Sequence, residues 1–376
     1  MTGLTPGHAP WYGSGVLQQQ GEEDKVSGTV SVVTGGQFGS EAKGAVAGYL
    51  ASAEQNSTPV VCVRVGGPNA GHTVYGRCPR GCEEESHPSG EAAHPWRLRQ
   101  VPVAAVTNER AKLLIAAGSE VDFNVLAYEV DMLRSAGYEV SDRLFVDVSA
   151  TVLTKDHIEH EQQGSNLNAR CGSTAKGIGA ARSARIWRMA DTVGQLVNEL
   201  GPNDADLIQT NLARSTGFLK ANLVRGAHVV IEGTQGYGLG LHTEYYPQCT
   251  SGDARAIDFL AQAGLSPWAN YIEDIEVWVV ARTRPIRVAG NSGPLAGETS
   301  WDALGIPAER TTVTQNVRRV GSWDSALVRD AVAANGGDDN PRVKLALTMV
   351  DYEIPGVRGV RSEEHTSELQ SQNRIS

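Results

Sequence analysis

Residues 29–44, TVSVVTGGQFGSEAKG, decide the fold. The β-branched run that opens them reads as a buried strand, and a glycine turn follows at once. Strand, glycine turn and helix together present backbone N–H groups and a positive helix end to phosphate. Lys43 can reach phosphate oxygens from there. The stretch is not a Walker A loop, because Ala42 stands where GK[ST] needs Gly, and Gly44 where it needs Ser or Thr. A glycine turn needed only for packing would read the same on this segment alone.

Working outward, short β-branched runs recur at 60–65, 113–116, 144–148, 228–232, 275–281 and 343–347. Helical patterns lie between several of them, such as Asp122–Leu133 and Trp187–Leu200. Strands alternating with helices predict an α/β fold with a mostly parallel sheet. No internal repeat is visible. Length alone would suggest two or three domains, but the pattern is that of one large domain over 29–360.

The chain has 376 residues, with 33 Lys and Arg against 43 Asp and Glu, for a net charge of −10. Apolar residues make up 40% and charged residues 20%, an ordinary globular composition. The acidic balance argues against a nucleic-acid-binding surface and leaves room for a local basic pocket. No stretch approaches the ~20 apolar residues of a membrane span, and no secretory signal pattern opens the chain. Five cysteines (62, 78, 82, 171 and 249), odd in number and scattered, predict a reducing cytoplasmic setting rather than a disulfide framework. Residues 1–28 lack periodicity and read as a disordered arm. Residues 361–376, RSEEHTSELQSQNRIS, resemble the translation of a sequencing-library adapter and are expected to be a non-native tail.

Three further blocks follow strands or mark chemistry. Gly66-Gly67-Pro68-Asn69-Ala70-Gly71-His72-Thr73 places a histidine at a strand's C-terminal edge, where open sheets bind ligands. Histidine suits proton transfer near neutral pH, although a lone one is more often structural. Cys171-Gly172-Ser173-Thr174-Ala175-Lys176-Gly177, followed by Arg182, Arg185 and Arg188, could cradle a phosphate monoester. The arginines could equally be a solvated helix face. Glu232-Gly233-Thr234-Gln235-Gly236 closes another strand, with Tyr246-Pro247-Gln248-Cys249-Thr250-Ser251 downstream.

In this order the four blocks resemble the adenylosuccinate synthetase superfamily, over Thr29 to Glu353 or so. That family joins L-aspartate to C6 of a purine nucleotide after a nucleotide γ-phosphate activates O6. The resemblance implies that Lys43 and its turn, Gly39 and Gly44 included, form the phosphate loop. It implies that His72 is the general acid and that the Gly71 carbonyl is a Mg²⁺ ligand. Asn69, Thr73, Ser173, Thr174, Gln235 and Thr250 match nucleotide contacts, Gln235 with a catalytic part. Arg188 matches an arginine inserted into the neighbouring subunit's site, which implies a homodimer. Thr314 and Arg318 match the loop clamping the aspartate carboxylates, and Asp351 the reader of the donor base.

Departures from the family pattern point to one branch. The family's catalytic base and Mg²⁺ ligand is an Asp in a GDEGKG-type loop, and that position is Ser40 here. A neutral hydroxyl makes a poor base and a weak Mg²⁺ ligand, but it leaves room for guanine's 2-amino group. A serine there marks the phage branch, the 2-aminoadenylosuccinate synthetases. Asn316 replaces an Arg that touches the ribose 2′-OH, which fits a deoxyribose substrate. Met349 replaces the Lys of the family's KLD motif, weakening guanine selection in the donor. The reading is therefore a ligase for dGMP and L-aspartate, with Mg²⁺ and ATP or dATP in preference to GTP, working in the cytoplasm (of the host, if phage-encoded). The alternatives are a short adenylosuccinate synthetase using IMP and GTP, and a P-loop-like nucleotide-binding module without ligase chemistry. Residues 77–96 read as a surface insertion. Its Cys78, Cys82, His87 and His94 could also make a tetrahedral zinc site, with loose spacing.

Overall fold

A computed structural model describes residues 27–52, 57–80, 94–164, 166–197, 211–311 and 315–354. The arm (to residue 26), the tail, Cys82, His87 and Thr314 lie outside the described residues. The strands are β1 (Gly28–Gly35), β2 (Val60–Arg64), β3 (His72–Gly76), β4 (His94–Leu98), β5 (Lys112–Ile115), β6 (Glu120–Val121) and β7 (Leu144–Asp147). They continue as β8 (Thr151–Val152), β9 (Leu212–Ala213), β10 (His228–Glu232), β11 (Ile272–Arg282), β12 (Ile286–Arg287), β13 (Arg319–Val320) and β14 (Val343–Thr348). Eight of them form one sheet in the order β14-β11-β1-β10-β2-β5-β7-β9, every neighbouring pair parallel. The expected single α/β domain with a parallel sheet is what the chain builds.

Parallel strands need crossovers, which cover both faces of the sheet. On one face Val33, Cys62, Leu113 and Val146 pack against helices Lys43–Ala51 and Phe123–Ser135 through Ala47, Ala51, Leu126 and Leu133. On the other, Val30, Val32, Val63 and Ile231 meet Leu219, Leu223, Phe259 and Ala331 from helices Ser215–Leu223, Ala256–Gln262 and Ser325–Ala334. This two-sided burial is why the strands read as continuous apolar runs rather than alternating ones. Asp122 caps the second helix by accepting from Asn124 and Val125 N–H.

Two expectations need correction. Trp187–Leu200 is not one helix. The helix Ile178–Ile186 ends at Trp187, and Arg188 turns left-handed at φ 62°. A new short helix, Val193–Leu196, starts after Thr192, and residues 198–200 lie outside the described residues. The insertion also begins and ends inside a hairpin, for β3 and β4 pair antiparallel and His94–Trp96 belong to β4. Among the described residues no helix is long and apolar enough to cross a membrane.

Candidate active site

The C-terminal ends of β1, β2, β10 and β11 lie side by side, and three of the four motifs follow directly from β1, β2 and β10, while the Cys171 block starts at the end of the helix Leu167–Cys171. After β1 the chain turns through left-handed residues at Gly39 (φ 85°), Ser40 (φ 57°) and Ala42 (φ 64°), then enters the helix at Lys43. Gly44 lies close to β3, where an added Cβ would sit 2.6 Å from the His72 Cβ. Inside the turn, the fully buried Glu41 accepts from Gln37 N–H (3.2 Å) and Gly39 N–H (2.7 Å) and pairs with Lys43 Nζ. The loop's donors and its lysine are thus held by the loop's own carboxylate.

His72 opens β3 and is 5% exposed. Its Nδ1 lies 2.8 Å from Glu232 Oε2 at the end of β10, and the Arg64 guanidinium lies against the same nitrogen. Glu232 also accepts from Val103 N–H (2.6 Å) and the Cys62 thiol (3.0 Å). Burial pushes the Glu232 carboxyl up, but its bond from His72 and the charges of His72 and Arg64 more than offset this and hold it below the usual range. An ionised Glu232 favours a proton on Nδ1, while the Arg64 donor at the same nitrogen opposes it. Burial first, and then the Arg64 charge, lower the His72 pKa to about 4. Its Nε2 is buried with no partner among the described residues, which leaves it open to a ligand.

A cavity of about 400 Å³ is lined by Phe38, Asn69 and Gln235 from the same motifs, but not by His72 or Lys43. Asn69, Ser173, Thr174, Gln235 and Thr250, five of the expected contacts, all line it. Arg170, Lys176 and Arg287 add positive charge to its walls. Arg287 stacks 3.9 Å from the Phe38 ring centroid and donates to the Gln248 (2.8 Å) and Pro294 (3.1 Å) carbonyls. Burial, then the Arg319 charge, push its pKa down to about 10.

The loop before β13 approaches the phosphate turn. Arg318 Nη1 donates to Ser40 Oγ at 2.8 Å, and the fully buried Arg282 donates to the Ser40 carbonyl at 3.1 Å while pairing with Glu309. Asn316 N–H donates to Thr311 Oγ1 at 3.1 Å, shaping the same loop. Asp351 sits in the half-buried turn after β14. Other expected residues stand apart from the cavity. Gly71 and Thr73 are exposed, Thr73 on the face of β3 opposite His72, and Arg188 is exposed past its helix end.

Comparison with known proteins decides what this arrangement is. A family model of adenylosuccinate synthetase matches residues 32–205 and 202–353. The chain is 32% identical to the adenylosuccinate synthetase of Thermococcus onnurineus, over 88% of this chain and 86% of that protein. The chain belongs to the adenylosuccinate synthetase family. The Methanocaldococcus jannaschii enzyme is 34% identical over 86% of this chain and 83% of its own length. Among solved structures, cyanophage S-2L succinoaminodeoxyadenylate synthetase (PurZ), bound to dGMP and dATP as an energy donor, superposes with a TM-score of 0.69. It is 27% identical and covers 85% of this chain and 84% of its own. Fully ligated adenylosuccinate synthetase from Plasmodium falciparum gives the same TM-score at 21% identity, covering 86% and 78%, a likeness of fold. The protein is therefore an adenylosuccinate synthetase-type ligase, forming a carbon–nitrogen bond with a nucleoside triphosphate and Mg²⁺, as its family does.

Against that family, the residues that sequence reading passed over are Glu41, Arg64, Arg282, Arg287 and Glu309. All are charged, and charge alone reads as surface. Glu232 carried a signal, since a carboxylate that ends a buried apolar strand needs a partner.

Proposed function

We propose that this ligase joins L-aspartate to C6 of dGMP, with ATP or dATP as phosphate donor, to give N6-succino-2-amino-2′-deoxyadenylate. The observation that carries the reading is Ser40. The family's acidic base position holds a neutral hydroxyl that is already accepting from the Arg318 guanidinium. A carboxylate there would suit the N1–H of hypoxanthine, whereas a short hydroxyl leaves space beside N1 for guanine's 2-amino group. The likeness to a phage enzyme bound to dGMP and dATP supports the same substrate.

In this reading Ser173, Thr174 and Thr250 hold the monophosphate, Asn69 and Gln235 orient the base, and Lys43 with Gly39 and Gly44 receives the donor phosphates. Arg318 serves the aspartate carboxylates, with Thr314 from the same loop, and Asp351 reads the donor base. His72 Nε2 delivers a proton toward O6, with Glu232 stabilising the imidazolium from Nδ1. An anionic substrate raises the His72 pKa and so supplies the proton the free site lacks. For Mg²⁺ the chain offers neutral oxygens, the Gly71 carbonyl and the Ser40 hydroxyl. Among the described residues no cluster of three acidic, histidine or cysteine groups could hold a metal alone. That donor set fits an ion carried by the nucleotide's own phosphates, where it would neutralise phosphate charge.

The same reading makes the enzyme a cytoplasmic homodimer. Ile186, Trp187 and Met189 are 70%, 71% and 79% exposed around Arg188, an apolar patch suited to a second copy of the chain. Arg188 would then enter the neighbour's cavity. Domain limits of 29–360, and a tail foreign to the enzyme, belong to the proposal as well.

The 32–34% identity to archaeal adenylosuccinate synthetases favours a second reading, IMP with GTP. Purified protein given L-aspartate, Mg²⁺ and either ATP or GTP, with dGMP or IMP, separates the two. Turnover of dGMP is expected; turnover of IMP alone would sink the proposal, and nucleotide binding without turnover of either would favour a binding module.

A further inference from the structure

Two thiols face the nucleotide cavity. Cys171 ends the helix Leu167–Cys171, three residues before Thr174, and Cys249 immediately precedes Thr250. Both line the cavity, and both are half-buried and outside any disulfide. Their segments rest on one support. An added Cβ at Gly172 would lie 2.9 Å from the Ser292 Cβ, and one at Gly293 would lie 2.9 Å from the Gln248 Cβ. The residue after Cys171 and the residue before Cys249 therefore flank the same Ser292–Gly293 turn. Burial, and after it a neighbouring Cys171, push the Cys249 thiol up, which suits Cys249 to the second, resolving attack rather than to the first attack on peroxide. Cys171 Sγ donates only to the Leu167 carbonyl of its own helix, at 3.2 Å, a weak bond that leaves the sulfur free to swing.

We propose that Cys171 and Cys249 form a peroxide-sensitive thiol pair whose disulfide closes the nucleotide cavity. The oxidant is hydrogen peroxide. The Cys171 thiolate attacks one peroxide oxygen, the O–O bond breaks, and the departing oxygen leaves as water once protonated. The sulfenic acid so formed is attacked by the second sulfur, which makes the S–S bond and releases a second water. Two electrons pass from the thiol pair to one peroxide. A disulfide fixes its Cα atoms about 4.4–6.8 Å apart, so oxidation pins the Thr174 and Thr250 walls together. Thiol reductants reverse it. Bound nucleoside monophosphate, sitting between the walls, opposes it.

The closure rests on the cavity being the monophosphate site, so the test reads the cross-link and the catalysis separately. The full chain is treated with hydrogen peroxide, with and without saturating dGMP, then digested without reductant and analysed by mass. A peptide linking Cys171 to Cys249 is expected, with loss of turnover that dithiothreitol restores and dGMP delays. Cys171→Ser and Cys249→Ser, each compared with its own untreated rate, should resist inactivation. Absence of the linked peptide would overturn the pair, and a linked peptide with full turnover would overturn the closure. Equal inactivation of both serine variants would also overturn it. Linking that dGMP fails to delay would count against the cavity assignment, while the cross-link still decides the pair.

Discussion

Arg318 donates to the Ser40 hydroxyl at 2.8 Å, joining two loops 278 residues apart in sequence. The contact ties the phosphate turn to the loop expected to hold aspartate. It also fixes where the serine oxygen points. If Ser40 selects guanine by being small and neutral, Ser40→Asp should lower dGMP turnover and raise that of IMP. An aspartate there would form an ion pair with Arg318 and crowd the 2-amino group. The measurement is the ratio of kcat/KM for dGMP and IMP in both proteins. An unchanged ratio would show that Ser40 does not select the base.

Glu232 acts through His72, and Glu232→Gln tests this. A neutral amide cannot stabilise the imidazolium, so kcat should fall by about 10²–10⁴, the range expected when general acid catalysis is lost. KM for dGMP should move little, because Glu232 is buried behind His72. A merely structural role would instead lower stability and leave the kcat of the folded fraction intact.

His72 should also mark the pH dependence of stability. Its folded pKa of about 4 lies below the unfolded value of 6.5. The fold therefore prefers the neutral ring, and the unfolded chain takes up the proton first. The contribution is full above pH 6.5 and is lost as pH falls toward 4. In His72→Asn the urea midpoint should fall less steeply across that window than in the parent. Parallel slopes would place the acid sensitivity elsewhere.

Ala42 offers a stabilising change. It sits at φ 64°, ψ 32°, before the helix at Lys43, a conformation that costs an L-residue roughly 1–2 kcal/mol. Glycine relieves that strain and loses part of the gain to its freer unfolded chain, so Ala42→Gly should stabilise by about 0.5–1 kcal/mol. Chemical denaturation measures it. A destabilised variant would mean that the Ala42 methyl makes a contact worth more than the strain.

Much of this was legible in sequence for a physical reason. Strands such as His228–Glu232 carry unbroken apolar runs, here Val229–Ile231, because both sheet faces are covered, and that pattern survives without coordinates. Asn69 and Gln235 were legible because motifs at strand ends converge on one edge of a parallel sheet, whereas Thr174 and Thr250 lie in loops away from strand ends and rest on the family resemblance. The strand order was not legible, since nothing local tells β1 that β10 and β11 will flank it. Nor were the separate interior ion pairs made by Glu41, Arg64, Glu232 and Arg282. Each is fully or nearly fully buried, yet a charged letter reads as surface until its partner, often far away in sequence, is known. The break at Arg188 was missed because the apolar spacing runs on through a left-handed residue.

That break bears on the proposed dimer. Arg188 is exposed and does not line its own chain's cavity, yet it is expected to serve one. If it enters the neighbour's site, Arg188→Ala should raise KM for the monophosphate in the homodimer. Mixing it with Lys43→Ala should then restore activity that neither variant has alone. In a twofold dimer the site built on the Arg188→Ala chain keeps its own Lys43 and borrows Arg188 from its partner. Random exchange at equal amounts makes half the dimers hybrid, each with one intact site, so recovery should approach about a quarter of parent activity. Native mass measurement of the mixture separates the remaining possibilities. Hybrids that form without regaining turnover would show that Arg188 does not complete the partner's site.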